Sequence, residues 1–245
     1  MKGIYLGDEA IIRCDRFSLS APGMKKVRQA VNRVARDHEF VLMRESDAPP
    51  ALVAELNAIS ERWRGKDPER GFTMALSQDV TGENPEMLLA VARHKGSTAG
   101  FLRLVPCVGD DPGFSLDLMR REPEAANGLT EFLIARTAEE LGKLRVARLS
   151  LNFAAWGRLF DAEASLGPRD RAMKWFVSKL NPFFQVKSLY DFNEKFQPEW
   201  LPRSMVYEEA ADLPHVAMLY AGVEGFLNVP VLGSLLVPPV VADAG

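Results

Sequence analysis

Cysteines and long apolar runs are scarce in this chain. Cys14 and Cys107 are its only cysteines. They lack metal-site spacing and no secretory leader follows Met1, so we expect a reducing cytoplasmic compartment and no disulfide. No run of 18 apolar residues is present, which predicts no transmembrane helix. Prolines interrupt the apolar segment 225–241, where we predict a flexible linker or a packed strand rather than a membrane-surface anchor.

The sequence also lacks an excess of positive charge and the familiar catalytic signatures. Its formal net charge is −3, so contacts with RNA or anionic lipid must come from local clusters of lysine and arginine. His38, His94 and His215 show no ligand spacing, and no phosphate loop, dinucleotide fingerprint or Gly-x-Ser-x-Gly motif is present. We therefore predict no metal and no cofactor, and we interpret His38 as a favourable contact with a helix C-terminus.

The hydrophobic pattern predicts an α/β protein, because apolar residues alternate in some segments and recur with helical spacing in others. The expected order begins with a hairpin at 3–17, its turn at Gly7-Asp8, then a helix at 22–36, a strand at 40–43 and a helix that starts at Pro49-Pro50 and ends at 63. Strands follow at 72–76, 87–93, 99–105 and 114–119, with 87–93 and 99–105 joined as a hairpin by a Lys95-Gly96 turn. The remaining elements are a helix at 127–144 capped by Asn127, a strand at 146–153, helices at 169–180 and 188–196, a strand at 204–208 and a helix at 212–226. Antiparallel strands leading into one right-handed βαβ crossover predict an acetyltransferase-like (GNAT-type) mixed sheet flanked by helices.

Asp117 is notable because it is a carboxylate inside an apolar strand. Alternation places Ser115 and Asp117 on one face, and on the other Phe114, Leu116 and Leu118. In the strand after the crossover, alternation likewise places Asn152 on the polar face. Asp117 and Asn152 are therefore expected to meet near the carboxyl ends of the strands, where ligand crevices form. Arg120 is an available partner. A polar ligand site and a structural ion pair remain equally open.

The turn after this strand disfavours coenzyme A. In acetyltransferases of this fold, a glycine-rich turn donates backbone N–H groups to the coenzyme's pyrophosphate. Here Pro123 removes a donor, and Glu122 and Glu124 would repel phosphate.

The helix at 22–36 is basic on the side opposite its valines and contains no acidic residue between Gly23 and Arg36. Its cations are Lys25, Lys26, Arg28, Arg33 and Arg36. They form a surface suited to RNA backbone or lipid headgroups. An ordinary solvated helix face is the alternative. Further basic residues at 169–171 and 174–179 accompany aromatic residues that either meet lipid or pack in the core.

Several segments, in order, resemble one family. They are Tyr-Leu-Gly-Asp-Glu-Ala at 5–10, the basic helix with Asn-Arg-Val at 32–34, Ser-Leu-Asp-Leu-Met-Arg at 115–120, Asn-Gly-Leu-Thr-Glu-Phe at 127–132, Ser-Leu-Asn-Phe at 150–153, and the dense run 188–203. Together they resemble the catalytic region of bacterial phosphatidylglycerol lysyltransferases, the multiple peptide resistance factors, especially the region found fused to lysyl-tRNA synthetase. The resemblance covers nearly the whole chain.

The resemblance implies an aminoacyltransferase. A glycerol hydroxyl of phosphatidylglycerol would attack the aminoacyl ester of tRNA, placing an amino acid, with lysine expected, on the lipid and changing membrane surface charge. The implied catalytic residues are Asp117, Arg120 and Lys195: the cations would bind lipid phosphate or stabilise the oxyanion, and Asp117 would hold the ammonium group or assist proton removal. The implied substrate-binding residues are Ser115, Asn152, Glu131, Tyr190, Asn193 and Arg203.

The family carries two acetyltransferase-like lobes bridged by a basic helix, usually behind a multi-span flippase. The resemblance therefore divides the chain into 1–45, the end of a first lobe plus the bridging helix, 46–227, the catalytic lobe, and 228–245, a flexible apolar tail. It implies a peripheral position on the cytoplasmic side of the bacterial membrane. The implied partners are aminoacyl-tRNA, phosphatidylglycerol, and a missing first lobe, flippase or lysyl-tRNA synthetase domain.

Two alternatives remain beside this function. One is a non-catalytic or truncated module that binds tRNA or lipid, and the other is a soluble aminoacyltransferase with a peptide or small-molecule acceptor. The segment 72–78 lacks the tyrosine that the resemblance implies near the amino-acid pocket, so the transferred amino acid stays open.

Overall fold

The computed structural model describes residues 2–65, 79–155, 183–209, 211 and 215. The described elements, in chain order, are β1 (Lys2–Arg13), α1 (Lys25–Val34), β2 (His38–Arg44), a 3-10 turn (Glu45–Asp47), α2 (Pro50–Arg64), β3 (Leu88–His94), β4 (Ser97–Cys107), β5 (Gly113–Arg121), α3 (Leu129–Lys143), β6 (Arg148–Ala155), α4 (Phe183–Glu194) and β7 (Glu199–Tyr207). Among the described helices, none has both the length and the apolar character that crossing a bilayer requires.

One mixed sheet contains all seven described strands, in the order β2-β3-β4-β5-β6-β1-β7. Among these described strands, β5 and β6 are the only neighbours that run parallel, and α3 lies between them in the chain. The predicted βαβ crossover is therefore confirmed, as is the β3–β4 hairpin, whose turn holds Lys95 and Gly96 at positive φ. The architecture is the predicted acetyltransferase-like α/β fold.

Two apolar cores lie on opposite faces of the sheet. The larger one packs the apolar sides of α1 and α3, including Val27, Val31 and Phe132, against alternate sheet residues. The smaller one packs Leu56 and Ile59 of α2 against the other face. The valine spacing that predicted α1 is confirmed, because Val27, Val31 and Val34 are all buried. These faces are called the α1–α3 face and the α2 face below.

Two local predictions are wrong. Residues 2–13 form one long strand rather than a hairpin, because Gly7 and Asp8 pair with β6 on one side and with β7 on the other. The residue at the N-cap of α3 is Gly128 at φ 91°, and no side chain caps the helix. Asn127 instead accepts a hydrogen bond on its backbone carbonyl from Arg33 Nη2, at 2.8 Å.

The sheet joins parts of the chain that the family resemblance divides. β1 and β2 pair within the same sheet as β3 to β7. The division at residue 45 stays a prediction. The predictions for 72–76, 169–180, 212–226 and 228–245 lie outside the described residues, apart from residue 215.

Candidate active site

A β-bulge in β5 sets the position of Asp117. Arg103 pairs with Leu118, whereas the next residue of β4, Leu104, pairs with Leu116, so Asp117 is the extra residue. As a result Leu116 belongs to the α1–α3 core and Leu118 to the α2 core. The predicted alternation is therefore wrong for Leu118, because a bulge shifts the side-chain parity of the residues that follow it.

Asp117 lies in a buried ion cluster with Arg103 and Glu45. Arg103 Nη1 is 3.1 Å from Asp117 Oδ2, and Arg103 Nε is 2.6 Å from Glu45 Oε2. The three residues are 2% exposed or less. Burial raises the pKa of Glu45, but hydrogen bonds from Arg103 and Asn84 outweigh it and hold that pKa below its usual value. The cluster ties β4 and β5 to the turn that precedes α2.

Arg120, the partner expected for Asp117, makes a different contact. Its guanidinium lies 4.2 Å from the centroid of the Trp63 ring, at the end of α2, and the residue is 3% exposed. A cation over an aromatic face is stabilised by the ring's quadrupole. Asp117 and Arg120 are thus both buried on the α2 face, and the ion-pair partner of Asp117 is Arg103.

A hydrogen-bonded chain crosses three strands next to this cluster. Ser150 Oγ on β6 donates to Glu9 Oε1 on β1 at 2.5 Å, and the Asn152 backbone N–H donates to Ser150 Oγ at 3.2 Å. Ser115 Oγ on β5 donates to Asn152 Oδ1 at 2.9 Å. We call Glu9, Ser115, Ser150, Asn152 and Arg203 the polar network. It joins three of the predicted substrate-binding residues, Ser115, Asn152 and Arg203, through Glu9 and Ser150.

Glu9 is the charged centre of the polar network. Arg148 Nη2 lies 2.8 Å from its Oε1, and Arg203 Nε donates to its Oε2 at 2.7 Å. Burial raises the pKa of Glu9, but the hydrogen bonds from Ser150 and Arg203 and the charge of both arginines outweigh it, so the pKa lies below its usual value. The Arg203 side chain is 47% exposed. The network therefore presents a solvent-accessible guanidinium beside an ionised carboxylate.

Asn152 has an unusual backbone conformation. Its φ is 69°, in the left-handed region that costs energy for any residue except glycine, although asparagine tolerates it best. It lies where the register between β1 and β6 shifts. Its side chain bridges two points of β5, because Nδ2 also donates to the Leu116 carbonyl at 2.5 Å. Such local strain, held by surrounding hydrogen bonds, occurs often at functional sites.

The remaining predicted residues form a second group. Lys195 Nζ lies 3.0 Å from Glu131 Oε1, in the first turn of α3, and 4.9 Å from the centroid of the Phe192 ring. Tyr190 stacks on Trp200 at 4.5 Å between ring centroids, and Asn193 is buried. Phe192 packs against the α1–α3 core, so this group lies on the α1–α3 face, whereas Asp117 and Arg120 lie on the α2 face.

Two of the five cations predicted for the basic helix make hydrogen bonds within the protein, and Arg36 follows the end of α1 at Val34. Arg28 Nη1 donates to the Leu19 carbonyl at 2.6 Å, and Arg33 donates to the Asn127 carbonyl. Lys25, Lys26 and Arg36 are exposed. Arg33 is exposed as well, and the phosphate-binding surface stays a prediction. The other predicted basic groups, at 169–171 and 174–179, lie outside the described residues.

An open groove of about 570 Å³ lies at the Arg13 end of β1. Its walls include Ile12, Phe17, Met24 and Phe196. Arg13, also in its wall, is paired with Asp111 and Glu199 at 2.8 and 2.7 Å. None of the predicted site residues lines this groove.

Glu9, Arg148, Ser150, Arg103 and Glu45 were not predicted as site residues. Ser150 is two residues before Asn152 and so lies on the same face of its strand, and Glu9 is an acidic residue inside a strand. Both features are visible in the sequence and could have indicated a polar site. Arg103 also lies inside an apolar strand. Nothing local indicates that Glu45 approaches Arg103, because the 3-10 turn and β4 are distant in sequence.

The fold and the polar network define an acetyltransferase-like α/β protein that lacks the glycine-rich coenzyme A turn. Residues 1–207 match the family model described as phosphatidylglycerol lysyltransferase, C-terminal. The chain belongs to this family.

Known proteins of two kinds are similar to this chain. It is 38% identical over 235 residues to the lysylphosphatidylglycerol biosynthesis bifunctional protein LysX of Mycolicibacterium vanbaalenii, covering 94% of this chain and 21% of that protein. LysX of Rhodococcus opacus is 36% identical over 234 residues, with the same coverage. The chain thus spans about a fifth of the length of these relatives. The structure of L-PGS from Bacillus licheniformis superposes with a TM-score of 0.70 at 23% identity, covering 92% of this chain and 67% of that one, which shows a shared fold.

Proposed function

We propose that this chain contributes the transfer site of an aminoacyl-tRNA-dependent phosphatidylglycerol lysyltransferase. The observation that carries the proposal is the family match over residues 1–207, supported by relatives named for lysylphosphatidylglycerol biosynthesis at up to 38% identity. The polar network lies wholly within the matched range.

The proposed reaction is a transesterification. The glycerol hydroxyl oxygen of phosphatidylglycerol attacks the carbonyl carbon of the lysyl ester, a new ester C–O bond forms, and the bond to the ribose oxygen of tRNA breaks. The hydroxyl proton ends on that ribose oxygen. Because the ester is already activated, holding the two substrates together in a water-poor site would supply much of the acceleration.

The charges on the sheet support a division of roles. Arg203, half-exposed at the edge of the polar network, would contact the lipid phosphate, and Glu9, itself paired with Arg148, would hold its guanidinium in place. Lys195, oriented by Glu131, would stabilise the negative charge that develops on the ester oxygen. Arg120, 3% exposed and stacked over Trp63, lies on the opposite face of the sheet from Lys195, so it would act by supporting β5 rather than on the same oxyanion.

Asp117 would act mainly by positioning. A carboxylate that is 2% exposed and paired with a guanidinium 1% exposed is poorly placed to exchange protons with a lipid. It would instead fix the β5 bulge that aims Ser115 at Asn152. We propose the remaining predicted residues, Tyr190 and Asn193, as structural supports of the Lys195 region.

The membrane and tRNA would meet the protein at its basic surface. Lys25, Lys26 and Arg36 would contact phosphates of tRNA or anionic lipid, with the chain peripheral on the cytoplasmic face of the membrane. The relatives are named bifunctional. A further domain, such as a lysyl-tRNA synthetase, a first lobe or a flippase, would therefore act beside this one.

A non-catalytic binding module is the second candidate. The burial of Asp117 and Arg120 favours it, since both residues then stabilise the fold. Such a module would keep the exposed cations of α1 and would bind tRNA or lipid without turnover.

The deciding experiment measures transfer and binding in the same samples. The chain is incubated with lysyl-tRNA labelled in the amino acid and with vesicles containing phosphatidylglycerol, and label is counted in the lipid extract. Alanyl-tRNA and phosphatidylcholine vesicles serve as substrate controls. The proposal predicts lipid label that depends on phosphatidylglycerol and falls at least tenfold in Lys195→Met. If both substrates bind but no label appears in the lipid, the binding module is favoured. If the labelled amino acid leaves tRNA for another acceptor when no lipid is present, a soluble aminoacyltransferase is favoured.

A further inference from the structure

Two histidines and an aspartate meet at the edge of the sheet, away from the proposed transfer site. His38 on β2 and His94 on β3 are direct partners in the strand register, and their ring centroids are 4.7 Å apart. Asp37 immediately precedes β2. Their separation in the sequence suggested no metal-ligand spacing. The antiparallel pairing brings them together nonetheless.

Hydrogen bonds order the cluster. Asp37 Oδ1 lies 2.6 Å from His38 Nδ1, and the Asp37 backbone carbonyl lies 3.1 Å from His94 Nδ1. One ligand atom from each of the three side chains lies within 4.8 Å of the other two. The His38 side chain is 5% exposed and thus fixed by packing, whereas those of His94 and Asp37 are 34% and 59% exposed.

This donor set fits a borderline divalent transition ion. Two imidazole nitrogens and one carboxylate oxygen are typical Zn²⁺ ligands, with bonds of about 2.0–2.2 Å. Tetrahedral coordination at that length requires ligand atoms a little over 3 Å apart, so small rotations of the Asp37 and His94 side chains, which are less buried than His38, would close the site. The Asp37 backbone carbonyl, 3.1 Å from His94 Nδ1, is the kind of outer partner that orients a metal-binding ring. Exposure of the cluster leaves the fourth position for water.

We propose that Asp37, His38 and His94 form a binding site for a single Zn²⁺-class cation. The site is structural rather than part of the transfer reaction. Asp37 donates its backbone N–H to the Val34 carbonyl, at the end of the basic helix, at 3.3 Å. A bound cation would therefore fasten the end of α1 to the β2–β3 edge of the sheet.

The test uses the full chain and metal alone. Zn²⁺ binding is measured by titration calorimetry, and Co²⁺ is used as a spectroscopic probe whose visible absorption reports the ligands. The proposal predicts one Zn²⁺ per chain, a rise in the unfolding temperature with added Zn²⁺, and at least a tenfold loss of affinity in His94→Gln and in Asp37→Asn. The variants' unfolding temperatures without metal show whether they are folded.

His215→Gln is the matched control, because His215 is an exposed histidine outside this cluster. It should bind Zn²⁺ as the unchanged chain does. The proposal is overturned if the unchanged chain takes up no Zn²⁺, if His94→Gln binds it equally well, or if His215→Gln loses as much affinity as His94→Gln. Since no readout involves lysyl transfer, the result is independent of the proposed enzyme function.

Discussion

Arg103 lies between two buried carboxylates, 2.6 Å from Glu45 and 3.1 Å from Asp117. The positive charge of one guanidinium thus pairs with two carboxylates, Glu45 from the 3-10 turn and Asp117 from β5. Burying a charge without a partner is costly, so the three residues stabilise the fold only as a set. The cluster also explains how an aspartate can occupy an otherwise apolar strand.

The first prediction concerns this cluster. Arg103→Leu should lower the free energy of unfolding by about 3–5 kcal/mol, because it removes the guanidinium that contacts both buried carboxylates. Urea denaturation measures the change. Arg62→Leu is the control: it breaks an equally close pair with Glu122, at 2.6 Å, in which the arginine is half-exposed, and its effect should be much smaller. Equal effects of the two substitutions would mean that burial does not govern the strength of these pairs.

The sequence predicted most of the fold because each element carries its own signal. Valines at helical spacing marked α1, Pro50 marked the start of α2, and Lys95-Gly96 marked the β3–β4 turn. The hairpin predicted in residues 3–17 failed because Gly7-Asp8 has the composition of a turn. Pairing with strands on both sides keeps these residues extended, and that tertiary effect is invisible locally.

The candidate site was less predictable for the same reason. Alternation within each strand correctly indicated the polar faces that carry Ser115 and Asn152, and the pairing of Ser115 with Ser150 puts those two faces on the same side of the sheet. Parity failed at Leu118, because a bulge has no dependable sequence signature. The pairs Arg103–Glu45 and His38–His94 depend on register between segments that are distant along the chain. Only the folded sheet reveals them.

The second prediction concerns Glu9. Its pKa is lowered, so the stability that its charge contributes is complete above the ordinary glutamate pKa of about 4.3 and is lost as the pH falls through the lower folded value. Glu9→Gln should therefore be less stable at pH 7, and its stability should decline less at low pH. Unfolding free energies measured from pH 7 down to about pH 3 provide the comparison. Glu39→Gln, at an exposed position on β2, should retain the original pH profile. A profile of Glu9→Gln that parallels the unchanged chain would show that this carboxylate gains nothing from its arginines.

The third prediction separates backbone strain from packing at two glycines. Gly128 and Gly96 have similar φ values of 91° and 85°, but a Cβ at Gly128 would lie 2.8 Å from the Ala30 Cβ, whereas a Cβ at Gly96 meets nothing within 4 Å. Gly96→Ala should cost about 1–2 kcal/mol from the left-handed backbone alone. Gly128→Ala should cost a further ~1–3 kcal/mol because α1 must move away from α3. Thermal and urea unfolding measure both variants. If both variants lose the same free energy of unfolding, the close packing of α1 against α3 does not contribute to the cost of Gly128→Ala.

The fourth prediction concerns three exposed cations, Lys25 and Lys26 of α1 and Arg36 just after it. Replacing Lys25, Lys26 and Arg36 together with Gln should weaken binding to tRNA and to vesicles of phosphatidylglycerol. It should also reduce the slope of log affinity against log salt by about one for each phosphate that the variant no longer neutralises. Fluorescence anisotropy and vesicle sedimentation at several salt concentrations measure these quantities. Arg28 and Arg33 are left unchanged because their hydrogen bonds to backbone carbonyls hold α1 in place.

A matched variant distinguishes this surface from net charge alone. Lys95, Lys143 and Arg145 are exposed cations outside α1, and their replacement with Gln removes the same formal charge. If binding depends on a local phosphate-tracking surface, the α1 variant loses the salt-dependent affinity and the matched variant keeps it, because screening in 0.15 M salt limits each exposed charge to a range of about 8 Å. Equal losses in the two variants would show that overall charge drives association and that α1 is only a solvated helix.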